Sequence, residues 1–163
     1  MAEKTIFNQV IKLRGIFDLN AAYSAVPKWY KKHKFDFAEK NYKHKGTDII
    51  IEWSGEKKVS PYVKHKTNVS FQVSEAKEVD VVVGSKKAKR TKGVIIARVE
   101  SKFETDIKGV WKKGPLLEKL GKVYEAYFMA GPFKKLKGDL ADISEKLYTN
   151  LKKIFAFEAE KNG

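Results

Sequence analysis

The stretch that decides the fold is "YVKHKTNVSFQV", residues 62–73, in which two kinds of side chain alternate. Successive side chains of a β-strand point to opposite faces, so each face carries every second residue. One face would hold Val63, His65, Thr67, Val69, Phe71 and Val73. The other face would hold lysine, asparagine, serine and glutamine side chains. This division is typical of an antiparallel sheet with one solvated face.

Other stretches show similar strand patterns. The clearest is "GVIIARVESKFETD", residues 93–106, where Ile95, Ala97 and Val99 share a face with Phe103. Weaker alternation or β-branched runs occupy residues 8–19, 35–45, 48–53 and 78–83. Together with residues 62–73, these stretches predict six strands joined mainly by short connections.

Between the first two strands, "AAYSAVPKWYKKH" has the spacing of a helix. The residues expected to face the core are Ala22, Val26, Trp29 and Tyr30. Asp18 or Asn20 can cap the first turn. Because proline disrupts a helix interior, Pro27 predicts two short helices that meet near Val26.

The last third of the chain is predicted to be helical. Pro115 occupies a plausible first helical position, and a helix is expected from there to about Met129. Its broad apolar stripe comprises Leu116, Leu117, Leu120, Val123, Tyr124, Tyr127 and Phe128. Gly131 and Pro132 are expected to end it. A final helix over residues 135–155 carries Leu136, Leu140, Ile143, Leu147, Leu151 and Ile154 at helical spacing.

A strand, short helices, a strand meander and a long last helix form an order that resembles the helix-grip fold of the START-like or SRPBCC superfamily. The resemblance covers nearly the whole chain and rests on the order of elements. It implies one α+β domain over residues 1–163, with a curved antiparallel sheet of six to seven strands packed on a long C-terminal helix.

The same resemblance implies an apolar cavity for a small hydrophobic molecule or lipid. The residues expected to line it are Phe37, Glu39, Trp53, His65, Phe71, Phe103 and Tyr127. Glu39 would be a polar anchor, since an unpaired carboxylate is costly away from water. Ordinary core packing is the alternative for the aromatic residues and for His65. An ordinary position at a strand edge is the alternative for Glu39.

The charge suggests a second kind of partner. The chain has 34 basic and 20 acidic residues, and its net charge of +14 attracts anions. Only Arg14, Arg90 and Arg98 are arginines, and lysine is a hydrated point charge without the planar fork by which arginine reads guanine edges. Binding to RNA, the ribosome or another polyanion would therefore depend weakly on sequence. Genome composition or thermal adaptation can also produce a lysine bias without any partner.

The densest basic run is "GSKKAKRTKG", residues 84–93, which is predicted to be the loop of a hairpin. As a polyanion site, it would contact phosphates through Lys86, Lys87, Lys89, Arg90 and Lys92. A solvated turn without a partner is the alternative. The alternative to a protein that binds a hydrophobic ligand is therefore a basic accessory protein that binds a polyanion.

The sequence contains none of the catalytic or metal-binding motifs considered below. The chain has no cysteine, which excludes disulfides and cysteine-ligated zinc. His33, His44 and His65 lack metal-binding spacing, and no phosphate loop or nucleophile elbow occurs. We therefore expect a non-catalytic binding protein without a cofactor or metal. No signal peptide and no apolar run of about 20 residues is found, so a soluble cytoplasmic protein is expected.

Overall fold

The computed structural model describes residues 2–105, 110–127 and 130–162, which contain one antiparallel sheet and three α-helices. The strands are β1 (Ala2–Phe17), β2 (Asp36–Lys45), β3 (Asp48–Lys58), β4 (Val63–Val83) and β5 (Lys86–Thr105). The helices are α1 (Leu19–Lys32), α2 (Pro115–Tyr127) and α3 (Ala130–Asn162), and Val110–Lys112 forms a 3₁₀ turn. The predicted α+β class, curved antiparallel sheet and long last helix are confirmed. The predicted ends at Asp106 and Met129 lie outside the described residues.

The sheet has the strand order β1-β5-β4-β3-β2, and all neighbouring strands are antiparallel. The alternation predicted for residues 62–73 is confirmed, because every odd-numbered residue from Val63 to Val73 is buried. In the centre of the sheet, Val69 lies opposite Val99 and Phe71 opposite Ala97. Helix α3 covers this apolar face, with Leu140, Leu147 and Leu151 fully buried.

Among the residues that the structure describes, the sheet has five strands, so the prediction of six to seven is wrong. The predicted strands over residues 62–73 and 78–83 form one strand, β4 (Val63–Val83), which continues through a β-bulge between Ser74 and Lys77. Such a bulge bends a strand without ending it. At Gly93, on the neighbouring strand, a Cβ atom would lie 2.7 Å from the Ser74 carbonyl oxygen. The bulge therefore fits against β5 only because this position lacks a side chain.

Residues 84–93 do not form the predicted long loop. Only Gly84 and Ser85 separate β4 from β5, and Gly84 has φ +66°, a conformation that glycine adopts easily. The basic run therefore continues a strand. Cross-strand charge pairs support it: Lys89 lies opposite Asp80, and its Nζ is 2.9 Å from Glu78.

Helix α1 is continuous through Pro27, so the prediction of two short helices is wrong. The proline costs one backbone hydrogen bond, because it has no amide hydrogen. In return, one uninterrupted face buries the predicted residues Ala22, Val26, Trp29 and Tyr30. Asp18 caps the helix, as predicted, and its Oδ1 accepts a hydrogen bond of 3.0 Å from the amide of Ala21.

Much of the apolar stripe predicted for α2 is exposed. Its exposed members are Leu116, Leu120, Val123 and Tyr127, at 48 to 81% exposure. The inward side of α2 includes Gly121, where a Cβ atom would lie 2.7 Å from Cβ of Trp111. Leu117, four residues earlier on the same side, is half-buried.

Helix α3 begins at Ala130, earlier than predicted, with Pro132 inside its first turn. Proline is tolerated there because first-turn amides have no partner within the helix. Among the helices of the described residues, none is both long and apolar enough to cross a lipid bilayer.

Candidate functional site

Most side chains predicted to line a cavity lie in the core. Those at most 3% exposed are Trp53, His65, Phe71 and Phe103. Two of these rings contact aromatic rings of α3 in edge-on geometry: Phe103 lies 5.3 Å from Phe133, and Phe71 lies 5.9 Å from Phe155. These contacts join the sheet directly to α3 and account for the inward aromatic pattern.

The buried His65 is a packed, neutral imidazole. Its ring lies 5.9 Å from that of Phe103, and it makes a backbone hydrogen bond with Leu136. Burial, with a smaller contribution from the positive charge of Lys57, lowers the pKa of His65 to about 4. At neutral pH the side chain is therefore uncharged.

The remaining predicted cavity residues lie nearer the surface. Phe37 is half-buried and stacks on Tyr30, with ring centroids 4.9 Å apart. Glu39 is exposed on β2. The prediction that Tyr127 faces inward is wrong, because this residue is 81% exposed on the outward side of α2.

Glu39 belongs to a pocket at the rim of the sheet, beside the first turns of α1. This rim pocket has a volume of about 490 Å³. Its lining residues are Leu19, Asn20, Tyr23, Glu39, Tyr42 and Ile51. Helix α1 provides the first half of this set, and β2 and β3 provide the second.

A second β-bulge gives the rim pocket its composition. Regular alternation would place Glu39 and Tyr42 on opposite faces of β2, since they are three residues apart. The register shifts between Glu39 and Asn41, so that Glu39 lies opposite Trp53 and Tyr42 opposite Ile51. The extra residue therefore brings the carboxylate and the phenol to the same side of the strand.

Tyr23 connects the two halves of the rim pocket. Its hydroxyl donates a hydrogen bond to Oε1 of Glu39, and this bond is the largest cause that raises the pKa of Tyr23 to about 12. The ring is perpendicular to that of Tyr42 at a centroid distance of 6.1 Å, and lies 5.4 Å from that of Trp53. The pocket thus combines aromatic walls with one carboxylate.

This combination has a clear chemical preference. Aromatic walls favour apolar groups and also attract cations to the ring faces. An ionised carboxylate only accepts hydrogen bonds, so Glu39 favours a donor such as an amine. The rim pocket is therefore suited to a hydrophobic molecule with an N–H donor or a positive charge.

Sequence reasoning found only part of this pocket. It selected Glu39, and also Trp53, whose ring contacts Tyr23 behind the lining, but it missed Tyr23 and Tyr42. Tyr23 lies on a helix and reaches β2 only in the folded protein. The loose alternation of residues 35–45 was the available signal for Tyr42, because a bulge disturbs a strand pattern in this way.

The structure does not gather the predicted polyanion residues on one tip. Because they lie on β5, Lys87 and Lys89 project from one face, while Lys86, Arg90 and Lys92 project from the other. The guanidinium of Arg90 lies 3.7 Å from Asp18 and helps to hold the start of α1. The run therefore presents two smaller sets of charges.

Within residues 2–105, 110–127 and 130–162, no group of three or more histidine, aspartate or glutamate side chains is placed to hold a metal ion. No protein-family model matches the chain, and no curated protein is similar to it in sequence. The functional conclusion therefore depends on the chemistry of the pockets themselves.

Proposed function

We propose that this chain is a non-catalytic binding protein for a small, largely hydrophobic molecule that presents an amine or another N–H donor to Glu39. The observation that supports this proposal is the rim pocket, where two perpendicular tyrosine rings stand beside a carboxylate. Its volume of about 490 Å³ is within the range of small-molecule sites.

The arrangement of Glu39 leaves capacity for a ligand. Tyr23 donates to Oε1, whereas a carboxylate has two oxygens and about four lone-pair positions. The Tyr23 bond fixes the carboxylate before a ligand arrives, which reduces the entropy lost on binding. Oε2 can then accept a hydrogen bond from the ligand.

A helix-grip assignment is part of the same proposal. The single curved sheet and the long last helix support it. In such a fold, a hydrophobic ligand is expected between the sheet and this helix. Aromatic side chains fill the space between the sheet and α3. We therefore prefer the rim as the position of the ligand.

Two matched probes test the rim pocket: 2-phenylethylamine, which is a cation, and 3-phenylpropionate, which is an anion of similar size. Titration followed by NMR should show tighter binding of the amine. Glu39→Gln should weaken binding of the amine by about fivefold, the effect of one exposed charge pair, and should not weaken binding of the carboxylate. Native mass spectrometry after mild purification would independently detect a co-purified ligand.

A matched pair of tyrosine variants provides the control. Tyr42→Ala should weaken binding of both probes, because it removes one wall of the rim pocket. Tyr127→Ala removes an equally large ring from α2 and should change neither affinity. Equal effects of the two variants, or an amine affinity that is indifferent to Glu39→Gln, would contradict the proposal.

Binding of RNA or another polyanion is a second candidate function. It is supported by a hollow of about 490 Å³ on the outer face of the sheet, which includes Arg14, Lys77 and Lys92. Lys77 and Lys92 are directly opposite each other on β4 and β5. Arg14 is paired with Glu75 at 3.6 Å. The lining of the hollow has more positive than negative side chains, because Lys77 and Lys92 add two further charges.

Salt dependence tests this second function with a single-stranded RNA homopolymer. If the hollow face of β5 makes the contacts, Lys86→Gln with Lys92→Gln should reduce the salt slope by about 1.4, or about 0.7 for each phosphate. Lys87→Gln with Lys89→Gln, on the other face, should leave the slope unchanged. Absence of binding at low salt would contradict this function.

A further inference from the structure

A second, chemically different groove lies between α1 and α3 and has a volume of about 560 Å³. Its floor includes Ala25, Trp29, Leu147 and Ile154. The only polar atom of the Trp29 ring is already satisfied, because its indole N–H donates to the Ile143 carbonyl at 2.8 Å. The floor therefore offers an apolar surface between the two helices.

Lysines surround this floor. Lys28 and Lys32 come from successive turns of α1, and Lys146 comes from the facing side of α3. In the described part of the chain, no carboxylate oxygen lies within 4.0 Å of any of these three ammonium groups. The same search finds ion pairs for several other lysines, including Lys64, Lys66 and Lys89.

The effect of this charge is visible at His33, which also lines the groove. Burial lowers the pKa of His33, and the positive charges of Lys32, Lys57 and Lys146 lower it further. The lowered pKa of His33 therefore indicates a positive electrostatic potential at this end of the groove. Asp142 and Glu145 line a neighbouring groove on α3, which also includes Lys146.

Lys32 has a local structural explanation, because basic residues in the last turn of a helix interact favourably with its dipole. Lys146 follows Asp142 by four residues on α3, a spacing at which opposite charges attract. Lys28 lies before the last turn of α1, and Lys146 lies in the middle of α3. Their convergence on an apolar floor places three like charges where each repels the others. An anion at the groove would relieve this repulsion.

We propose that the α1–α3 groove binds an anionic amphiphile, with its hydrocarbon body on the floor and its phosphate or carboxylate head among Lys28, Lys32 and Lys146. The groove volume is within the range of small-molecule sites. A bare polyanion would leave the apolar floor unused, whereas a neutral hydrocarbon would leave the lysines uncompensated. This site is independent of the rim pocket, whose carboxylate repels such a ligand.

Monomeric dodecyl phosphate is the probe, measured by isothermal titration calorimetry on the full chain. The groove variant Lys28→Gln/Lys32→Gln/Lys146→Gln should bind it at least about tenfold more weakly, since each exposed charge pair contributes a fewfold effect. The control variant Lys86→Gln/Lys87→Gln/Lys92→Gln removes the same charge from β5. It should bind within about twofold of the wild type, apart from the weak long-range effect that salt screens.

Two simpler probes separate the parts of the site. Inorganic phosphate tests the head alone and dodecanol tests the floor alone, and both should bind more weakly than dodecyl phosphate. NMR titration of His33 gives a local reading, because bound phosphate should raise its pKa. Equal weakening in both lysine variants, phosphate affinity equal to that of dodecyl phosphate, or an unchanged His33 titration would overturn the proposal.

Discussion

Acidification is expected to destabilise the protein through His65. This side chain is 3% exposed, and burial lowers its pKa from 6.5 to about 4. At about 1.4 kcal/mol per pKa unit, this interval corresponds to about 3 kcal/mol of unfolding free energy. That amount is a large fraction of the stability of an ordinary domain, which is about 5–15 kcal/mol.

The direction follows from proton binding. Between pH 4 and pH 6.5 the unfolded chain binds a proton at His65, whereas the folded protein excludes it. The contribution to the unfolding free energy is therefore complete above pH 6.5 and is lost as the pH falls through about 4. Carboxylates also titrate in this interval, so the wild-type pH dependence alone does not isolate His65.

Comparison with a variant isolates it. Urea unfolding at about pH 7 and about pH 4 should show a loss of stability that is smaller in His65→Gln than in the wild type by about 3 kcal/mol. His44→Gln is the matched control, because His44 is exposed on β2 and should leave the loss unchanged. A loss in His65→Gln equal to that of the wild type would refute the reasoning.

Other substitutions test packing and buried hydrogen bonds by urea unfolding. Gly55→Ala should cost about 1–3 kcal/mol, because its Cβ atom would overlap a buried tyrosine ring, whereas Gly138→Ala in α3 meets no atom within 4 Å and should stabilise by about 0.5–1 kcal/mol. Ser101→Ala should cost about 1–3 kcal/mol, since it removes side-chain hydrogen bonds of 3.0 Å to Thr67 and 2.6 Å to Ser144. Ser144→Ala should cost a similar amount, because it removes the bond to Ser101 and the bond of 2.7 Å that Ser144 donates to the Leu140 carbonyl. Tolerance of Gly55→Ala, or of either serine variant, would contradict these expectations.

The regular parts of the fold could be predicted because burial imposes a period. In β4, every second residue from Val63 to Val73 packs in the same buried layer, so these residues obey the same requirement. In α3, Leu140, Leu147 and Leu151 recur at helical spacing for the same reason. Both patterns are local in the chain, and their meaning does not depend on distant residues.

The irregular parts could not be predicted because they depend on contacts between distant segments. The bulge before Lys77 requires Gly93 on another strand, and the bulge after Glu39 changes the side on which Tyr42 lies. Continuity of α1 through Pro27 depends on the core that its face buries. Of the residues that line the rim pocket, only Glu39 was therefore predicted as a site residue.

The pairing of β1 with β5 has a consequence for the order of events during synthesis. Ala2 pairs with Thr105, and Phe17 pairs with Thr91. Strand β1 is synthesised first but cannot pair until β5 has been synthesised. At about 5–20 residues per second, the delay is on the order of ten seconds. Strands β2 to β5 can form successive hairpins as they emerge, whereas β1 remains an unpaired segment. Completion of the sheet is therefore a late, long-range closure, which is slow in comparison with the local pairing of neighbouring strands.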